Sequence, residues 1–260
     1  MITLGAHSPK LDAVRELRTK KGRRERKQFV VEGSTMLEEA LAAGLVPVAL
    51  YVIEQSIEAL PASAAGLGET FLVPERAMAK LSLLETPPGI LAVFAQPSSD
   101  LEELLGRGEA LLLLAGVGDP GNAGTLLRTA EIFGMRGAIF TTDAVEPFNP
   151  KVARATMGAI FRMKLALADP GEVADAARRH GFTIVAAERG GTPLPGFVFP
   201  KRSLIAIGHE RHGLAKSLPG YDVAVGIPQR GEGESLNASI AGGIILYAFA
   251  QQGKGTNVKL

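Results

Sequence analysis

With 260 residues, 46% of them hydrophobic, the chain is long enough to enclose one large core or two modest ones. Zero Cys excludes disulfides, thiolate nucleophiles and Cys-ligated zinc or iron–sulfur centres, and four scattered His leave little scope for any other metal. The net charge of +1 names no partner, no stretch approaches the roughly 18 uncharged apolar residues of a membrane span, and Met1-Ile2-Thr3-Leu4 opens no signal pattern, so a cytoplasmic protein away from membranes is expected.

The charge is unevenly spread. Residues 1–30 hold Lys10, Arg15, Arg18, Lys20, Lys21, Arg23, Arg24, Arg26 and Lys27 against Asp12, Glu16 and Glu25. Such an excess draws polyanions by counterion release, so Lys20, Lys21, Arg23, Arg24, Arg26 and Lys27 are candidate RNA contacts; a solvated helix face or a loose basic arm is the plainer alternative. Along this region the pattern predicts an amphipathic segment over 9–18, a strand over 28–31, and a helix from Ser34-Thr35 with Glu38 placed for a capping box. Strand-like 46–53, a short helix over 74–81 and a strand over 90–95 complete a small α/β unit. Gln96-Pro97-Ser98-Ser99-Asp100 breaks the alternation, and 100–108 reads as a charged connector.

Beyond it, apolar strands are expected at 110–115, 137–142, 182–187, 203–208 and 222–227, with helices at 122–133, 150–160, 170–180 and 236–251. Near-continuous apolar strands separated by helices indicate a parallel sheet covered on both faces. The expected organisation is a small unit over 1–97, a linker over 98–108, a second domain over 109–252 and a flexible tail over 253–260.

Three polar loops follow apolar strands: Gly118-Asp119-Pro120-Gly121-Asn122-Ala123-Gly124 leading to Arg128, Gly208-His209-Glu210-Arg211-His212-Gly213, and Ile227-Pro228 running through Ser235-Leu236-Asn237-Ala238-Ser239. Loops of this kind point backbone groups and short polar side chains at a ligand, and three of them suggest one composite site. Gly116-Val117-Gly118-Asp119-Pro120-Gly121 also matches a dinucleotide fingerprint, with Asp143 about twenty residues on, which would make the chain an oxidoreductase. That alternative leaves the other two loops unexplained. Arg128 either faces the site as a phosphate-type clamp or forms a surface salt bridge with Glu131 at i+3.

In content, order and spacing these loops resemble the SpoU (TrmH-type) family of RNA ribose 2′-O-methyltransferases of the SPOUT superfamily, over about 110–251. The segment Glu146-Pro147-Phe148-Asn149-Pro150-Lys151 to Phe161 is similar to the family's second helix region, and Phe29-Val30-Val31-Glu32-Gly33 to its ribosomal-protein-like RNA-binding domain. The resemblance implies an α/β fold whose C-terminal segment threads a loop to form a deep trefoil knot, an exception to the usual rule against threading. It implies S-adenosylmethionine as cofactor, held at Gly208, Ile227 and Leu236, without a metal. Arg128 would act on the 2′-hydroxyl, with Asn122, Glu210, Ser235 and Asn237 orienting it, the ribose or a phosphate. Because a free guanidinium has a pKa above about 12, Arg128 is read either as a base with strong local help or as a cationic clamp. The implied substrate is ribosomal or transfer RNA, ribosomal favoured, and the implied state a homodimer; a non-catalytic RNA-binding or assembly factor on the same fold is the other reading. Arg211 and His212 depart from the Gly-rich second loop of many relatives, which puts the choice of RNA in question.

Overall fold

The structure is a computed structural model describing residues 1–97, 99–232 and 235–252. The expected tail at 253–260, and Gly233 and Glu234 of the third loop, lie outside the described residues. In chain order the elements are β1 (Ile2–Thr3), α1 (Pro9–Glu16), α2 (Lys20–Arg26), β2 (Gln28–Glu32), α3 (Ser34–Ala42), β3 (Ala49–Val52), β4 (Glu69–Leu72), α4 (Glu75–Leu81) and β5 (Ile90–Ala95). They continue as α5 (Leu101–Gly106), β6 (Leu111–Ala115), α6 (Pro120–Ile132), β7 (Gly137–Thr141), α7 (Pro150–Ala155), α8 (Ala159–Arg162) and β8 (Lys164–Ala168). The last are α9 (Pro170–Arg179), β9 (Thr183–Pro193), β10 (Ser203–Gly208), β11 (Val223–Gly226) and α10 (Ala238–Gln252).

Two compact units result. The first joins Met1–Pro97 to Phe148–Phe161, and the other described residues form the second. In the first, a mixed sheet of order β1-β4-β3-β5-β2 carries a core of Leu11, Val14, Val30, Phe71, Met78 and Leu91. Phe148 and Phe161 belong here because both rings close on Phe29, with centroids 4.9 and 6.3 Å away. The single helix expected over 150–160 is two, because Met157 (φ 47°) and Gly158 (φ 93°) take left-handed backbone between α7 and α8. The expected capping box of α3 does not form. Gly33, at φ 90°, is the N-cap, and Ser34 already lies in the helix.

In the second unit, six strands run parallel in the order β11-β9-β10-β6-β7-β8. The five residues of β6 are all buried, as a strand covered on both faces requires. Where the sequence reads a connector, α5 is a helix capped by Asp100, with Leu101, Leu104 and Leu105 in the core of this unit. The edge strand β8, not anticipated, pairs with β7. From β6 the chain steps outward to β7 and β8, then returns on the far side and sets β10 between β9 and β6. Strand order therefore reverses between β6 and β10. In open parallel sheets the ligand crevice lies outside the carboxyl ends of the strands at such a reversal.

Candidate active site

The loops leaving β6 and β10 meet at that point. After β6, Gly116 turns with φ +72°, where a Cβ would stand 2.1 Å from Ser217 Oγ. Asp119 then starts α6: its Oδ1 accepts the Asn122 N–H at 2.7 Å, and Pro120 fills the first turn without wasting a donor. After β10, His209 and Gly213 exchange two backbone hydrogen bonds of 3.0 and 2.9 Å, closing a small hairpin. A Cβ on Gly208 would stand 2.4 Å from the Gly213 carbonyl carbon, so only glycine fits beneath it. His209 Nδ1 accepts the Arg211 N–H at 3.0 Å.

A chain of side-chain hydrogen bonds ties the three loops together. Glu210 accepts from the Gly118 N–H (3.4 Å), the Asp119 N–H (3.2 Å) and the Asn122 amide (2.9 Å). The Asn122 carbonyl oxygen accepts from the Asn237 amide at 3.0 Å. Asn237 Oδ1 in turn accepts the Ser239 and Ile240 N–H groups at 2.8 and 3.3 Å, capping α10. Only 24% of the Glu210 side chain is exposed. Burial pushes its carboxyl up, but the Asn122 amide and the backbone N–H groups of its own residue, Asp119 and Gly118 outweigh that and hold it below the ordinary carboxylate value.

Beside this chain opens a cavity of about 440 Å³, within the range of small-molecule sites. Gly208, Ile227 and Leu236 lie on its wall, with Glu210 and Ser235. The rest of the wall includes Glu188, Arg189, Gly190 and Gly191, which no motif marked. They reach it through an irregularity in β9: Ala186 pairs with Ala224 and Thr192 with the next residue, Val225, so 187–191 have no counterpart on β11. The signal for this bulge was Gly190-Gly191 after an apolar run.

Asn122, Glu210 and Asn237 are thus brought together, while Arg128 is exposed on α6 and has no hydrogen bond or ion pair among the described residues. The Glu131 salt bridge is made instead by Arg162, at 2.8 Å. The dinucleotide reading fails on geometry, because the Gly118 and Asp119 N–H groups that would hold a pyrophosphate already bind Glu210, and Asp143 accepts the Ser217 hydroxyl at 2.5 Å. In the first unit, Lys20, Lys21, Arg24, Arg26 and Lys27 are exposed. Arg26 pairs with Glu16 at 2.6 Å. Arg23 departs from the expected set: it is 3% exposed and donates to the Leu17 carbonyl at 2.8 Å, closing the end of α1. His209 and His212 stack at 4.9 Å, and no group of three His, Asp or Glu among the described residues could hold a metal.

The family model of the SpoU rRNA methylases matches residues 109–247. The chain belongs to that family. Residues 8–92 match the model of the MRM3-like substrate-binding domain. The 23S rRNA (guanosine(2553)-2′-O)-methyltransferase of Bacillus subtilis is 29% identical over 93% of this chain and 96% of its own. Among solved structures, the AdoMet-bound rRNA methyltransferase from Sinorhizobium meliloti superposes with a TM-score of 0.82 at 29% identity, over 96% of this chain and 97% of that one. The SpoU methyltransferase AviRb from Streptomyces viridochromogenes, in complex with AdoMet, gives 0.83 at 26% identity over 95% and 98%.

Proposed function

We propose that this SpoU-family enzyme transfers the methyl group of S-adenosylmethionine to a ribose 2′-hydroxyl of ribosomal RNA. The observation that carries this reading is the convergence of the second and third loops on one cavity, with Gly208, Ile227 and Leu236 on its wall and the first loop tied to that wall through Glu210. The wall suits that cofactor. Its glycines leave main-chain donors and acceptors accessible, Ile227 and Leu236 offer apolar surface to an adenine, and the volume of about 440 Å³ admits a bent nucleoside. When bound, the cofactor supplies an electrophilic methyl group. The chain must then place the 2′-oxygen in line and help it lose its proton.

Glu210, its oxygens already filled by N–H donors and its pKa depressed, is a poor proton acceptor. It holds Asn122 and the first loop in place. Arg128, without a partner among the described residues, is the cation that draws in the ribose-phosphate and favours the ionised hydroxyl. Ser235 and Asn237 set the third loop. The first unit holds the RNA with Lys20, Lys21, Arg24, Arg26 and Lys27. Ribosomal RNA as substrate is supported by the Bacillus relative, which matches over nearly the whole of both chains, and implies action in the cytoplasm.

The active form is a homodimer formed through α10. That helix is apolar on all sides, yet Ile240, Ile244 and Tyr247, on one face at i, i+4 and i+7, are 55%, 39% and 52% exposed. The same reading makes the chain a trefoil knot, consistent with β10 lying inside the sheet between β6 and β9 while α10 packs back on α6. Calorimetry with S-adenosylhomocysteine, before and after chelator treatment, tests the cofactor, and ribose-methyl mapping of ribosomal RNA from cells with and without the protein tests the reaction. Binding that vanishes with the chelator, or identical methyl maps, would sink the proposal.

A further inference from the structure

Two carboxylates stand on the cavity wall among the described residues, Glu188 and Glu210. The oxygens of Glu210 are taken by the Asn122 amide and two backbone N–H groups. Glu188 is different. Its Oε2 accepts the Tyr221 hydroxyl at 3.0 Å, whereas its Oε1 has no hydrogen bond to any described residue and lies beside Gly213, 3.8 Å from where a Cβ there would stand. The hydrogen bond and charge of Glu188 push the Tyr221 phenol above its ordinary value, so the phenol remains a donor at neutral pH and fixes the carboxylate.

Glu188 is presented by the looped-out stretch 187–191, which leaves the β9–β11 ladder for the cavity. An ionised carboxylate only accepts hydrogen bonds, and one half withdrawn from water with an open oxygen is stabilised by a ligand that brings donors. We infer that Glu188 is a cofactor-binding residue, taking hydrogen-bond donors of S-adenosylmethionine on its free Oε1, with Tyr221 as its positioning residue. This rests on the proposed function. The cofactor has three donor sources, the adenine amino group and the ribose hydroxyl pair on its nucleoside end and the α-ammonium group on its amino-acid end. The apolar Ile227 and Leu236 leave Glu188 as the wall's open acidic group for either end.

Calorimetry on the full chain tests the assignment, with S-adenosylhomocysteine and 5′-methylthioadenosine, which keeps the ribose but lacks the amino-acid end. Glu188→Gln keeps the shape and removes the charge; it should weaken S-adenosylhomocysteine at least about tenfold, the scale of one charged hydrogen bond. An equal loss with 5′-methylthioadenosine assigns the nucleoside end, and a loss confined to S-adenosylhomocysteine assigns the ammonium. Tyr221→Phe, which leaves the carboxylate but frees it to turn, should show a smaller loss with the same preference between the two ligands. Wild-type affinity in Glu188→Gln would overturn the assignment while leaving the proposed function standing. No binding by the wild-type chain would overturn the proposed function itself.

Discussion

In the proposed site Arg128 and Glu210 have opposite surroundings, one exposed and unpaired among the described residues, the other enclosed by donors. Arg128→Ala should lower methyl transfer by roughly a hundredfold or more, the scale of a lost general catalyst or electrostatic group, with S-adenosylhomocysteine affinity unchanged in calorimetry. Arg128→Lys separates the two roles: rescue with a pH profile moved to lower values marks proton acceptance, and no rescue marks forked clamping. For Glu210 the folded pKa lies below the unfolded one, so its stabilisation is fully present above the unfolded carboxylate value and lost as pH falls through the folded value. Unfolding curves of wild type and Glu210→Gln should therefore differ by about 1 to 2 kcal/mol at pH 7 and converge as the pH falls through the folded value. Asn122, Glu210 and Asn237 were legible because each stands in a polar loop after an apolar strand. Glu188 was not, since Gly190-Gly191 marks a break in the ladder without showing that the glutamate before it lines a cavity; nor did charge alone reveal that Arg23 points inward to a helix end.

At the scale of elements, one amide does two tasks. Asn237 starts α10 with its oxygen and holds Asn122 with its nitrogen. Asn237→Ala should cost about 1 kcal/mol of stability by thermal unfolding together with most of the methyl transfer. Asn237→Ser, a comparable cap that is too short to reach Asn122, should restore the first and not the second. Equal recovery of both would show that capping is all Asn237 contributes. The strands were easiest to read where burial on both faces demanded unbroken apolar runs, as in β10, found as expected at 203–208. The edge strand β8 escaped because Lys164-Leu165-Ala166-Leu167-Ala168 alternates weakly and contains two alanines, poor β-formers. Helix α5 escaped because three leucines among acidic residues read as a charged connector until a core exists to receive them.

For the whole molecule, the exposed apolar face of α10 is the seam of the proposed dimer. Light scattering should give the mass of two chains, and Ile240→Glu with Ile244→Glu should give one, because a buried unpaired charge is costly at such a seam. Retention of the dimer by that double variant would exclude this face. The contribution of the basic helix α2 is best measured by Lys20→Glu, Lys21→Glu and Arg24→Glu together, which should weaken RNA binding and flatten its salt dependence without touching cofactor binding. Deleting residues 1–97 is a poorer test, since it would strip the cover from Phe148 and Phe161. The two family models match consecutive stretches of sequence, 8–92 and 109–247, yet the first unit includes 148–161 from within the second stretch. No single crossover point in the gene divides the protein into the pieces that its packing defines. A recombinant carrying a foreign N-terminal unit must inherit a matching α7 and α8 as well, so exchange of RNA-holding units between relatives requires coordinated replacement at two separate places in the chain.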